Sequence, residues 1–236
     1  ALLAVVLIGS AVLVIESRHA PATLVPGIAL LAVLTFLFVR RELRHPDPVL
    51  QPRFFANRAF AGSNAAIAAS NLAFYTVLLA MPVLLTRRLD WSSMQIGAAL
   101  AVLSAPMVVF SPIGGRLADR YGRRLPAIAG CALLAGGVVP LALAPDLGLA
   151  MLLPCLLVMG SGVGMSMAGL QAAAIEALDP SQAGLAAGLF STSRYVGSFV
   201  GSIVLARLLD GATGLDGFQV VFVMALVAGV VSIACS

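Results

Sequence analysis

The chain has 236 residues, of which 61% are hydrophobic and 10% charged, with a mean hydropathy of +1.05. Soluble domains carry about 25% charged residues, so the soluble globular class is excluded and a polytopic, all-α membrane protein is expected. The net charge of +4 comes from 14 basic against 10 acidic residues, every basic one an Arg; a nucleic-acid binder would gather such charge on one soluble face, whereas here it sits between apolar runs.

A helix crossing about 30 Å of hydrocarbon needs about 20 residues. Dividing the chain where charges, Gly or Pro interrupt apolar runs predicts about eight spans. The first runs from Ala1 to about Ile15 and is closed by the polar turn Glu16 to Pro21, in which His19 is a solvated loop residue. The second covers Ala22 to Val39 and ends at the charged stretch Arg40 to Arg44, so residues 1–40 are expected to form a hairpin. With no initiator Met and no basic leader, the chain is expected to be a fragment. Residues 41–58 contain Pro46, Pro48 and Pro52 and lack an apolar stripe, which predicts a linker. Within it, Phe54 and Phe55 are either a short interfacial anchor or plain loop hydrophobes. His45 has no ligand-like neighbour, and Cys131, Cys155 and Cys235 lie in apolar runs without metal-ligand spacing, so no metal, cofactor or disulfide is expected.

The third span, about Ala59 to Thr86, carries Asn64, Ser70, Asn71, Tyr75 and Pro82, polar groups that require partners in hydrocarbon. Ser92 and Gln95 form a capping-box pattern that opens the fourth span, beside Trp91 at the interface. That span is expected to reach about Gly115, with kinks at Pro106 and Pro112. The fifth covers Leu125 to Ala144 and the sixth Leu147 to Ala168 or beyond, joined by a Pro145-Asp146 turn. Gly160, Gly162 and Gly164 predict a smooth face for helix contact, and Gln171, Glu176 and Asp179 mark the sixth span's polar end. The seventh runs from Gly184 to Leu208, where Gly184 with Gly188, and Gly197 with Gly201, are spaced for close packing. The eighth begins at Phe218.

Between the fourth and fifth spans, Gly114 to Arg124 packs four arginines and an aspartate. Each charge costs about 2.5–3.5 kcal/mol in hydrocarbon, so this stretch is expected to be a loop in water, on the cytoplasmic side. Counting spans outward then puts residues 40–58 and 177–183 inside, and 16–21, 86–93, 145–147 and 209–217 outside. The inside segments hold Arg40, Arg41, Arg44, Arg53, Arg58, Arg116, Arg120, Arg123 and Arg124. The outside ones hold Arg18, Arg87 and Arg88, with Arg207 at an edge, in keeping with the positive-inside bias.

Gly115-Arg116-Leu117-Ala118-Asp119-Arg120-Tyr121-Gly122-Arg123-Arg124 resembles the Gly-x-Leu-x-Asp-Arg-x-Gly-Arg-Arg/Lys signature of the major facilitator superfamily, with every fixed position filled. The resemblance implies a cytoplasmic loop between the second and third helices of a six-helix half. Residues 59–236 would then be a C-terminal half built as a three-plus-three inverted repeat, preceded by a cytoplasmic linker and an extra two-helix hairpin. That extra pair, the Phe-Phe-Ala-Asn-Arg-Ala-Phe run from Phe54 to Phe60, and Arg194-x-x-Gly197-x-x-x-Gly201 resemble the fourteen-span drug:proton antiporter branch. This resemblance implies a secondary active transporter of the plasma (inner) membrane, exporting small lipophilic substrates in exchange for protons by alternating access. Its partners would be the missing N-terminal six-helix half and the lipid bilayer. The antiporter signature of that branch belongs to the first half and is not in this chain.

Gly115, Asp119, Arg120, Gly122, Arg123 and Arg124 are the expected conformational latch, in which the Asp119 carboxylate and the Arg120 guanidinium at a helix end hold one arrangement of two rocking halves, their partner surface being expected in the missing half. Arg194 falls about 15 Å into the seventh span, the one charge at that depth, and is a coupling or gating candidate. A carboxylate upstream, backbone carbonyls, or a polar or anionic substrate group would each satisfy it. No visible carboxylate lies equally deep, so a proton carrier is expected upstream. Asn64, Asn71, Tyr75 and Gln171 are candidate cavity residues, with Met81, Met107, Met165 and Met167 as adaptable apolar surface; interhelical hydrogen bonding and core filling compete with that reading. Gly160, Gly164, Gly197 and Gly201 are the helix-packing positions. No His-Glu pair, nucleophile elbow or phosphate loop supports an enzyme. A transporter of a different small metabolite and a non-transporting scaffold or receptor module stay open as alternatives.

Overall fold

The computed structural model describes residues 52–143, 148–211 and 215–236, and within 1–51 only Val33, Phe36 and Arg40, each helical. The expected hairpin over 1–40, most of the linker and the Pro145-Asp146 turn lie outside the described residues. The chain divides after Arg53, and Phe54–Ser236 forms a unit of its own.

Among the described residues all regular structure is helical. A short 3-10 turn, Pro52–Ala56, leads into α1 (Arg58–Leu89), α2 (Ser93–Tyr121), α3 (Arg124–Leu143), α4 (Leu149–Glu176), α5 (Ala183–Gly211) and α6 (Leu215–Cys235). All six are long and apolar enough to cross a membrane. Asn57 starts α1 by accepting hydrogen bonds from the Ala59 and Phe60 amides, and Asp90, in the left-handed region at φ 48°, ends it. Ser92 opens α2 with the expected capping box: the Gln95 amide donates to its hydroxyl, and its own amide donates to Gln95 Oε1 at 2.9 Å.

The helices run further than the apolar spans. Expected to stop near Gly115, α2 continues to Tyr121, and α4 continues to Glu176. The arginine stretch is therefore the last two turns of a helix, with a loop of two residues, Gly122 and Arg123. Hydropathy marks where hydrocarbon ends, while a helix continues until something stops it. Here the stop is Gly122, whose φ of 87° other residues adopt at a cost.

The packing of the helices repeats itself. α1 packs on α5 and α6, α4 packs on α2 and α3, α3 meets α6, and α1 meets α4. Exchanging α1, α2 and α3 with α4, α5 and α6 maps this pattern onto itself, as a three-plus-three repeat requires. α1, α3 and α4 bury more than half of their apolar windows, whereas α2 leaves nearly all of its window uncovered.

Glycines set the two closest crossings. A Cβ on Gly160 or Gly164 of α4 would run into the α2 backbone at Leu103 and Met107, and one on Gly197 or Gly201 of α5 into the α1 backbone at Ala68 and Leu72. Gly162 does not share the Gly160 face. It meets α3 at Gly130 and Leu134, because residues two apart on a helix point in different directions. Gly184 and Gly188 differ from the expectation of close packing: among the described residues a Cβ there meets nothing within 4 Å.

Candidate functional site

Two places in the bundle hold the chemistry: a charged junction at one helix end and a guanidinium halfway along α5. The junction gathers the start of α1, the α2–α3 loop and the end of α4. Gly169 lets the α4 backbone come against the Arg123 carbonyl, where a Cβ would sit 2.8 Å from that oxygen. Seven residues on, and so on the same face, Glu176 meets the Arg123 side chain. Arg123 Nη2 lies 2.6 Å from Glu176 Oε1, and Nε is 3.1 Å from both carboxylate oxygens. On its other side Arg123 Nη1 reaches Asp119 Oδ1 at 2.7 Å. One guanidinium thus bridges α2 and α4 with a bidentate fork on one of its two carboxylates. Hydrogen bonding to Glu176, then to Asp119, pushes the Arg123 guanidinium further above its ordinary range, so it stays charged.

Within the described residues Asp119 is held by Arg123, which the Gly122 turn brings back against the end of α2, and not by Arg120, its neighbour on the helix, which points about 100° away. Arg120 instead lies over the Tyr121 ring, 5.4 Å from its centroid. Arg116 and Arg124 are exposed, and Gly115 is half-buried. The Asp119–Arg123 spacing is visible in the sequence. Glu176, 53 residues away from its partner, reads there only as a surface carboxylate.

Beside this junction Asn57 makes a second tie. While its side-chain oxygen caps α1, its Nδ2 donates to the Ala177 carbonyl at 2.7 Å. The beginning of α1 is therefore fastened to the end of α4, one residue beyond Glu176. At the same end of the bundle Gly62 packs against the Cys235 carbonyl at the close of α6. Residues 57, 123 and 177 thus share one side of the bundle, as the span count requires.

Of the expected cavity residues, Asn64 and Asn71 are closed off. Asn64 is buried, donates to the Phe60 carbonyl at 2.8 Å and accepts from the Ser193 hydroxyl at 2.8 Å, a hydrogen bond between α1 and α5. Asn71, also buried, donates to Ile67 of its own helix at 3.0 Å. For Asn64 the competing reading, interhelical hydrogen bonding, is what the geometry shows. Tyr75 and Gln171 are half-buried, and among the described residues no hydrogen bond joins Gln171 to Asn64, Asn71 or Tyr75. Met81 is fully buried and fills core; Met167 is half-buried and touches Arg194.

Arg194 is the twelfth residue of α5, about 16 Å from its start, and is half-buried. Its Nη2 donates to the Tyr195 hydroxyl at 3.1 Å, its guanidinium carbon lies 4.9 Å from the Tyr195 ring centroid, and Nη1 is 4.0 Å from Met167 Sδ on α4. Among the described residues it donates to no backbone carbonyl and pairs with no carboxylate. Among those residues the arginine cation rests on an aromatic ring and a thioether.

A family model described as Major Facilitator Superfamily matches residues 63–236. The chain is similar to the multidrug resistance protein Stp of Mycobacterium tuberculosis, 31% identical over 88% of this chain and 40% of that protein. It is also similar to the uncharacterized MFS-type transporter YvkA of Bacillus subtilis, 30% identical over 88% of this chain and 47% of the relative. The puromycin resistance protein pur8 of Streptomyces alboniger is 29% identical over 79% of this chain and 38% of its own length. The chain spans less than half the length of these relatives.

Proposed function

Because this chain belongs to the Major Facilitator Superfamily, a family of membrane transporters and not of enzymes, we propose that it is the C-terminal half of a proton-coupled exporter of small lipophilic molecules. The carrying observation is the similarity, along 88% of the chain, to a protein named for multidrug resistance. A relative named for puromycin resistance points the same way. In this reading the junction end faces the cytoplasm of the plasma membrane, residues 1–40 add two spans ahead of the half, and an N-terminal six-helix half completes the protein. Transport proceeds by rocking of the two halves, with the proton carrier in the other one.

Ethidium accumulation tests this directly, using the full reading frame that contains these residues in cells stripped of their own efflux pumps. Expression is expected to lower dye retention several-fold, and a protonophore is expected to abolish the difference. Unchanged retention across a panel of lipophilic cations and neutral dyes would overturn the reading.

The junction then acts as a latch, a set of charge-assisted contacts held in one arrangement and released in the other. Asp119→Asn removes one of its contacts, a solvent-exposed ion pair worth about 0.2–1 kcal/mol, while Glu176 still holds Arg123. Turnover is expected to fall by up to about fivefold with substrate affinity unaltered. Equal transport rates at matched expression would leave the junction a purely topological feature.

A further inference from the structure

We propose that Arg194, seated on Tyr195 and Met167, is a receiving site for a carboxylate that comes from outside the described bundle; the proposal rests on the chain being part of a transporter.

A guanidinium offers five N–H groups, and among the described residues one goes to a phenol oxygen at 3.1 Å and one to a thioether at 4.0 Å, a weak acceptor. Three are left over, at mid-helix depth, where a charge needs a counter-charge or a strong acceptor. The acids at the junction do not supply it: Asp119 and Glu176 both belong to Arg123 at the helix end.

The setting selects the acceptor. Tyr195 is 58% exposed and Arg194 half-buried, so the guanidinium and the ring beneath it are reachable from outside the six helices. The side chain is also braced from behind. Ser193 is tied to Asn64 on α1, and Gly197, one turn on, packs flat against Ala68, which fixes this part of α5. A planar fork laid over an aromatic ring matches a planar carboxylate in two parallel hydrogen bonds, with an apolar body lying on Tyr195 and Met167. Two sources carry such a group: an amphiphilic substrate acid, or an acidic side chain on the rest of the transporter.

The full-length protein separates them. Binding of 2-naphthoate and of its neutral amide is titrated for the parent, Arg194→Gln and Arg194→Lys, alongside gradient-driven ethidium transport. If the substrate brings the carboxylate, Arg194→Gln weakens naphthoate at least about tenfold, Arg194→Lys weakens it less, and the amide is unaffected. If the rest of the protein brings it, naphthoate affinity holds, transport is lost in Arg194→Gln, and second-site revertants neutralise an intramembrane Asp or Glu. Unchanged naphthoate affinity, with transport either intact or lost without such revertants, overturns the site. Because the naphthoate arm reads binding, a protein that binds and exports nothing in the ethidium assay would fail the transporter reading and not this one.

Discussion

A valine at Gly160 or at Gly197 is expected to destabilise the bundle by about 3 kcal/mol or more, while a valine at Gly188 leaves it unchanged. At Gly160 the new Cβ would press on the Leu103 carbonyl of α2, and at Gly197 on the Ala68 carbonyl of α1. Neither obstacle is a side chain that could rotate away. The helices would have to separate along their length, with the loss of every contact those crossings organise, including the Asn64–Ser193 hydrogen bond one turn from Gly197. Gly188 is a glycine on the same helix as Gly197 whose added Cβ meets nothing within 4 Å among the described residues, so it isolates steric cost from helix propensity, which would favour valine over glycine at all three positions. Thermal unfolding in detergent, read by dye labelling of buried Cys131 and Cys155, measures the difference. Equal midpoints for Gly160→Val and Gly188→Val would mean that α2 and α4 do not approach as described.

That contrast also shows what a single sequence can and cannot say. The four-residue spacing of Gly160 and Gly164 announces a contact face, but identical spacing at Gly184 and Gly188 announces one that the bundle leaves open. Spacing reports which residues share a face; the tertiary arrangement decides whether a helix covers it. The same limit governs the charges. The apolar runs locate all six described helices, and the caps at Ser92 and Gly122 are local features that sequence can carry. Hydropathy does not mark the helix ends beyond the hydrocarbon, because Leu117-Ala118-Asp119-Arg120 and Ala172-Ala173-Ala174-Ile175-Glu176 propagate a helix in water as readily as in lipid. The Asp119–Arg123 pair is local in sequence but is set by the Gly122 turn, since Arg123 lies beyond the helix end at Tyr121. The Glu176 contact is not local: it depends on how α4 lies against the start of α3 at Gly169.

Replacing Phe60 with alanine is expected to cost about 3–5 kcal/mol and to free Phe54 and Phe55 from the start of α1. Phe60 is fully buried in the first turn of α1, and two rings of the preceding 3-10 turn meet it edge-on: Phe54 at 6.3 Å and Phe55 at 5.3 Å between centroids. Phe54 is itself buried and Phe55 exposed, so of the two rings only Phe54 is part of the core. Between the two rings and Phe60 in sequence lies Asn57, whose oxygen caps α1 and whose amide group reaches Ala177. Ring and cap fix the same three residues of backbone, so removing the ring also loosens the tie from α1 to α4. Phe60→Leu keeps most of the apolar volume and is expected to cost about 1–1.5 kcal/mol, whereas Phe60→Ala leaves a cavity beside the exposed end of the bundle, which water can enter. Tryptic cleavage at Arg58, next to the cap, should rise at least tenfold in Phe60→Ala and little in Phe60→Leu. Equal cleavage rates in parent and Phe60→Ala would show that Asn57 alone holds the start of α1, and that the aromatic contacts add no stability there.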